Sequence, residues 1–143
     1  MNKKIVVAFI GHRDSIGIEA TIYAEIKNMI NQGISNFISG GMGNYDKMCE
    51  KIVKDLGGKI TFVPYNIKQI KEKDRFWYDN IICPFGNKVY SKFDIPNRNK
   101  WIIDNCDICL CYVYKNGGAK KTLDYAIKKG KKIINLYPCT NKF

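Results

Sequence analysis

Two glycine pairs, Ser39-Gly40-Gly41-Met42-Gly43 and Asn116-Gly117-Gly118-Ala119, stand where an apolar run gives way to an amphipathic one. Glycine has no Cβ, so its backbone approaches an anion closely and reaches positive φ without steric cost. A helix that follows adds free N–H donors and the positive end of its dipole. Both segments are read as phosphate cradles, and an ordinary tight turn is the alternative reading of either one. Gly11-His12-Arg13 marks another such handover. Its glycine allows a sharp exit from a strand, and Arg13 offers a planar, bidentate donor to phosphate or carboxylate. His12 is either a proton shuttle or a structural side chain, and the structural role is the expectation. Arg98, followed by Asn99, suits a phosphate; its other reading is a surface ion pair with Asp104 or Asp107. Asp46 supplies a carboxylate just after the first glycine loop, for acid–base work or for capping the helix.

These residues need elements to hold them. Ile5–Ile10 reads as the first strand, Asn36–Ser39 as a second, Lys59–Val63 as a third, Asp107–Tyr114 as a central one and Lys132–Leu136 as the last. Between them, Ile18, Ile22, Ile26, Met29 and Ile30 fall at helical spacing, closed by Gly33. Tyr45, Met48, Cys49, Ile52, Val53 and Leu56 make a second stripe that stops at Gly57-Gly58. Asn97–Asn105 reads as a short helix, and Thr122–Lys129 as another through Leu123, Ala126 and Ile127. The segment 65–95 is the least regular, a helix plus an elaborated connection. Its aromatic residues Phe76, Trp77, Tyr78, Phe85, Tyr90 and Phe93 are expected to cover the core, with stacking on a base as the alternative. Alternation of apolar strands with amphipathic helices predicts an α/β fold: a parallel sheet of about five strands with helices on both faces. Ligands of such sheets bind beyond the carboxyl ends of the strands, where the strand order reverses.

At 143 residues the chain is expected to form a single domain, spanning 1–143. With 45% hydrophobic residues it reads as globular. The apolar run after Met1-Asn2-Lys3-Lys4 is too short to span a membrane and has no signal-peptide pattern, so a cytoplasmic protein is expected. The six cysteines are then free thiols of a reducing compartment. Cys106-Asp107-Ile108-Cys109 has the spacing of half a zinc site, but structural zinc takes four ligands and no second such pair exists. Cys109 and Cys111 are read instead as small hydrophobes on a strand. No metal and no cofactor is expected. The net charge of +11 favours polyanions to some degree. Lys120, Lys121, Lys128, Lys129, Lys131 and Lys132 cluster near the end of the chain, whereas Lys68, Lys71, Lys73 and Arg75 interleave with acids, so a solvated face accounts for most of the charge.

Taken in order, Phe9-Ile10-Gly11-His12-Arg13, Ile38-Ser39-Gly40-Gly41-Met42-Gly43 with Asp46, Asn97-Arg98-Asn99-Lys100 through Asp104-Asn105-Cys106-Asp107, and Gly117-Gly118 with Thr122 and Tyr125-Ala126 resemble the SLOG superfamily, particularly its YpsA-like branch. The resemblance covers nearly the whole chain. It implies a Rossmann-like domain that binds nucleotides or nucleotide derivatives, often as a homodimer. In the LOG-type phosphoribohydrolases of the superfamily, an arginine matching Arg98 helps to bind and activate a nucleoside monophosphate whose N-glycosidic bond is cleaved. Their motif Pro-Gly-Gly-x-Gly-Thr-x-x-Glu overlaps Asn116 to Tyr125. Here Asn116 replaces the proline, one extra residue precedes Thr122, and Tyr125 occupies the position of the essential glutamate. An oxocarbenium-like transition state favours a nearby anion and a carboxylate that activates water. Asp46 and Asp124 are the candidates for it, although Asp124 is turned about 100° from position 125 on a helix.

The expected function is therefore binding of a small-molecule nucleotide or nucleotide derivative. Its ligand residues are Gly11, His12, Arg13, Ser39, Gly40, Gly41, Met42, Gly43, Arg98, Asn99, Asn116, Gly117, Gly118 and Thr122. The alternatives are an N-glycosidic hydrolase, and a single-stranded nucleic-acid binder like the DprA relatives of the superfamily.

Overall fold

The structure is a computed structural model and describes residues 4–85 and 91–138. Tyr90, counted above among the central aromatic residues, lies outside the described residues. Among the described residues six strands form one sheet in the order β4-β3-β2-β1-β5-β6, where β1 is Val6–Gly11, β2 Asn36–Ser39, β3 Lys59–Phe62, β4 Asn80–Ile81, β5 Ile108–Tyr112 and β6 Lys132–Asn135. Every pairing is parallel. The helices are α1 (Glu19–Asn31), α2 (Gly43–Asp55), α3 (Asp74–Trp77), α4 (Asp94–Asp104) and α5 (Gly118–Lys128), with one 3-10 turn at Ile67–Gln69. This is the expected Rossmann-like α/β class, with one strand more than the approximate five. The extra strand, β4, has two residues and lies within the irregular segment, too short to show any period.

Side chains of the strands alternate between two cores, which is why the central strands β1 and β5 are apolar almost throughout. On one face Val7, Phe9, Phe37, Ile60 and Leu110 meet Ile22, Ile26 and Met29 of α1 and Tyr45, Cys49 and Val53 of α2. On the other, Ala8, Ile10, Ile38, Cys109 and Cys111 meet Ile102 and Ile103 of α4 and Leu123 and Ala126 of α5. Cys109 and Cys111 are thus core residues of β5.

Two helices start earlier than expected. The fourth helix begins at Asp94, so Pro96 sits in its first turn, where a missing N–H costs little. The last helix begins at Gly118, which makes the second glycine pair its cap and first residue instead of a separate loop. Acidic side chains also pin strand starts: Asp107 Oδ2 accepts from the Val6 N–H at 2.9 Å, and Asp79 Oδ2 from the Ile60 N–H at 2.8 Å.

The chain runs outward from β1 to β4, then returns to the opposite side of β1 for β5 and β6. The order therefore reverses between β1 and β5. A crevice at their carboxyl ends follows from that topology.

Candidate functional site

A cavity of about 450 Å³ lies there. The β1–α1 connection contributes Gly11, His12, Arg13 and Asp14 to its lining; the β2–α2 loop gives Met42, and α2 itself gives Asp46. From α4 come Ile95, Arg98 and Asn99, and the β5–α5 connection adds Lys115 through Ala119, with Thr122 of α5 beyond it. Of the expected ligand residues, Ser39, Gly40, Gly41 and Gly43 lie outside this lining.

The two glycine loops differ in what surrounds them. A Cβ on Gly40 would come within 2.8 Å of the Arg98 guanidinium carbon, one on Gly41 within 2.7 Å of the Phe62 ring, and one on Gly43 within 2.7 Å of Arg13 Cα. The first loop is glycine-rich because protein atoms already crowd it. Its donors are spent as well: the Met42 N–H goes to Asp46 Oδ2 at 3.1 Å, the Gly41 N–H to Ser39 Oγ at 3.0 Å, and the Asn44 N–H to the Arg13 carbonyl at 2.9 Å. The second loop is open. Nothing lies within 4 Å of a Cβ built on Gly117 or Gly118, and Gly117 holds φ at 140°, in the region that favours glycine. No side chain caps α5, and Gly118, Ala119 and Thr122 at its start line the cavity, so N–H groups of its first turn are left without a side-chain acceptor.

Arg98 is neither a free phosphate ligand nor a surface ion pair. It is 3% exposed, and Nη1 donates to the carbonyls of Gly40 at 2.9 Å and Val63 at 3.1 Å. Its Nε donates to Asn99 Oδ1 at 2.8 Å. The guanidinium bolts α4 to the ends of β2 and β3. Its Nη2 meets only the Met42 thioether at 3.3 Å, a weak acceptor, which leaves that edge for a ligand oxygen. Burial lowers its pKa, opposed by the carboxylate of Asp46.

Asp46 is half-buried on the cavity wall. Loss of solvent around most of its carboxyl, helped by nearby Glu50, outweighs the Met42 N–H bond and pushes its pKa up to about 7. Asp124, the other carboxylate candidate, is no part of the cavity: it is exposed and paired with Lys120 at 2.7 Å. Tyr125 is likewise elsewhere, its hydroxyl donating to Asp104 Oδ1 at 2.8 Å. The one-residue rotation around α5 carries both away from the site.

His12 is buried, and its Nε2 accepts the Tyr114 N–H at 3.2 Å. Burial first, and Lys115 second, lower its pKa, so it is a neutral imidazole that holds the start of the β5–α5 connection. Arg13 is exposed at the cavity and makes no ion pair among the described residues. Asp14 and Lys115 were not foreseen. They join at 2.8 Å across the two connections, and each follows or precedes a recognised motif by one residue, which is the signal that could have found them.

No family model matches the sequence, and no curated protein matches it. Solved structures do. DNA processing protein A (DprA) from Streptococcus pneumoniae aligns with a TM-score of 0.72 and 18% identity, over 90% of this chain and 49% of that one. DprA from Helicobacter pylori, described for its single-stranded DNA binding mode, aligns with a TM-score of 0.72 and 14% identity, over 91% of this chain and 64% of that one. The molybdenum cofactor binding protein of Rippkaea orientalis aligns with a TM-score of 0.67 and 14% identity, over 93% and 76%. The chain thus spans about half the length of the S. pneumoniae protein. At 14–18% identity these likenesses establish the fold, a Rossmann-like α/β fold.

Proposed function

We propose that residues 1–143 form one ligand-binding domain that takes a nucleotide or nucleotide derivative, by its phosphate, into the cavity between β1 and β5. The observation that carries this reading is the uncapped start of α5 opening on the same cavity as Arg13, Lys115 and the free edge of Arg98. Backbone N–H groups at a helix start and cationic side chains are complementary to phosphate, and water-shielded walls strengthen both. Asn99, Asn116 and Thr122 add polar groups for a sugar or base.

Isothermal titration calorimetry with nucleoside monophosphates, ADP-ribose and NAD tests the proposal. At least one should bind, and Arg13→Ala should weaken it by roughly tenfold or more, the worth of a charge-assisted hydrogen bond. Binding by none of them would sink the reading.

A second reading, N-glycosidic hydrolysis, is favoured by one observation: a cavity carboxyl with its pKa near 7, the range suited to general acid–base work at neutral pH. Chromatography of nucleotide mixtures should then show free base, and Asp46→Asn should abolish its release.

A further inference from the structure

A second cavity, of about 540 Å³, is lined by Lys47, Glu50 and Lys51 of α2 and by residues of α3 with the adjoining Lys73. It shares no residue with the strand-end cavity. We infer that it binds a planar heteroaromatic compound that carries an N–H donor and an anionic substituent.

Glu50 supplies the first reason. It is 1% exposed, and its Oε2 accepts the Ser39 hydroxyl at 2.6 Å and the Tyr78 hydroxyl at 2.9 Å. Its Oε1 is buried with no hydrogen-bond donor among the described residues. A buried carboxylate oxygen without a donor is costly, and native structures rarely leave one. The nearest cation, Lys47 Nζ, stands 3.6 Å away on a side chain that is 58% exposed. That is ion-pair range and beyond hydrogen-bond length, so the ammonium, which donates instead to the Tyr78 hydroxyl at 3.4 Å, leaves Oε1 without a hydrogen bond.

The walls and rim supply the rest. Phe76 is 84% exposed and Trp77 38%, unusual for large aromatic side chains beside a cavity. Lys54 Nζ already lies over one face of Trp77, 5.0 Å from the ring centroid, so the exposed Phe76 ring and the other Trp77 face are left for a planar ring, whose N–H would complete Glu50 Oε1. Lys51 is engaged with Asp55 at 3.2 Å, and Asp74 accepts the Lys71 N–H at 2.8 Å. Lys73, exposed and without an ion pair among the described residues, is left as the cation for the anionic substituent.

Two probes of matched shape test this, indolylacetate and naphthylacetate, since only the first has an N–H. Calorimetry should show indolylacetate binding at least tenfold more tightly. Only Trp77 and Trp101 carry an indole, and the Trp77 indole N–H resonance should shift on titration. Phe76→Ala, at a position too exposed to affect folding, should remove binding, and Lys73→Ala should weaken it. Arg13→Ala should leave it unchanged, which separates failure here from failure at the strand-end cavity. Equal affinities for the two probes, an unmoved Trp77 resonance, or wild-type binding by Phe76→Ala would overturn the inference.

Discussion

Arg98 shows how one buried cation can be structural first and functional second. Its replacement by alanine strips the Val63 carbonyl of its side-chain donor and opens a cavity between α4 and the sheet, whereas Gly40 keeps the Gln69 amide at 3.0 Å. Loss of a buried, charged donor of this kind costs about 3 kcal/mol. Arg98→Ala should therefore lower the midpoint of urea unfolding by a corresponding amount. Arg98→Lys should recover little, because a point ammonium cannot span two carbonyls and Asn99. Asp46 makes the opposite kind of contribution. Its folded pKa of about 7 exceeds the ordinary carboxyl value, so the native state binds the extra proton between about pH 4 and 7. Stability from this group is fully present below that window and is lost as pH rises through it. Asp46→Asn keeps an acceptor for the Met42 N–H without the charge. Thermal unfolding at about pH 8 should show the variant more stable by about 2 kcal/mol, with the difference gone near pH 4. An unchanged difference across that range would remove Asp46 as its source.

At the scale of elements, the glycines separate into those that pack and those that open. A Cβ on Gly11 would collide with the ring of buried Tyr45, whose hydroxyl donates to the Leu110 carbonyl at 2.9 Å. Gly11→Ala should therefore destabilise by about 3 kcal/mol, read by thermal unfolding. Gly118→Ala should change stability by less than about 0.5 kcal/mol, since its Cβ position is empty. Gly118→Pro is the functional test of the same loop: proline is tolerated at a first helical position but removes one N–H. Phosphate-dependent binding should fall by roughly tenfold without loss of the fold. This contrast marks what was legible in the sequence. Apolar runs buried on both faces announce strands directly, so β1, β2, β3, β5 and β6 fall within a residue or two of their expected bounds. The crowding of Gly40 by Arg98 and of Gly41 by Phe62 joins residues far apart in the chain, and no local pattern carries it. The two glycine pairs therefore read alike in the sequence, although only the second has an open helix start. Glu50 was illegible for the same reason: an acid on a helix reads as solvated until Ser39 and Tyr78 are brought to it.

At the scale of the molecule, the +11 charge invites comparison with the single-stranded DNA described for the H. pylori protein of like fold. The cations of the described residues do not form one track. Lys47, Lys51 and Lys54 ride on α2, and Lys120, Lys121 and Lys128 on α5, helices that pack on opposite faces of the sheet. Several are already neutralised, Lys51 by Asp55, Lys120 by Asp124 and Lys129 by Asp104. A single strand lying on either face would thus engage on the order of four phosphates, giving a log–log salt slope of about −3. A fluorescence titration of an oligothymidylate between about 50 and 300 mM salt measures it. A slope steeper than about −5 would require a strand that wraps both faces, and with it a nucleic-acid function. A mononucleotide seated between β1 and β5 releases few condensed counterions, so its affinity should change little over the same range. The two slopes, measured on one preparation, therefore distinguish a ligand held by the cavity from a polyanion held by the field of the whole protein.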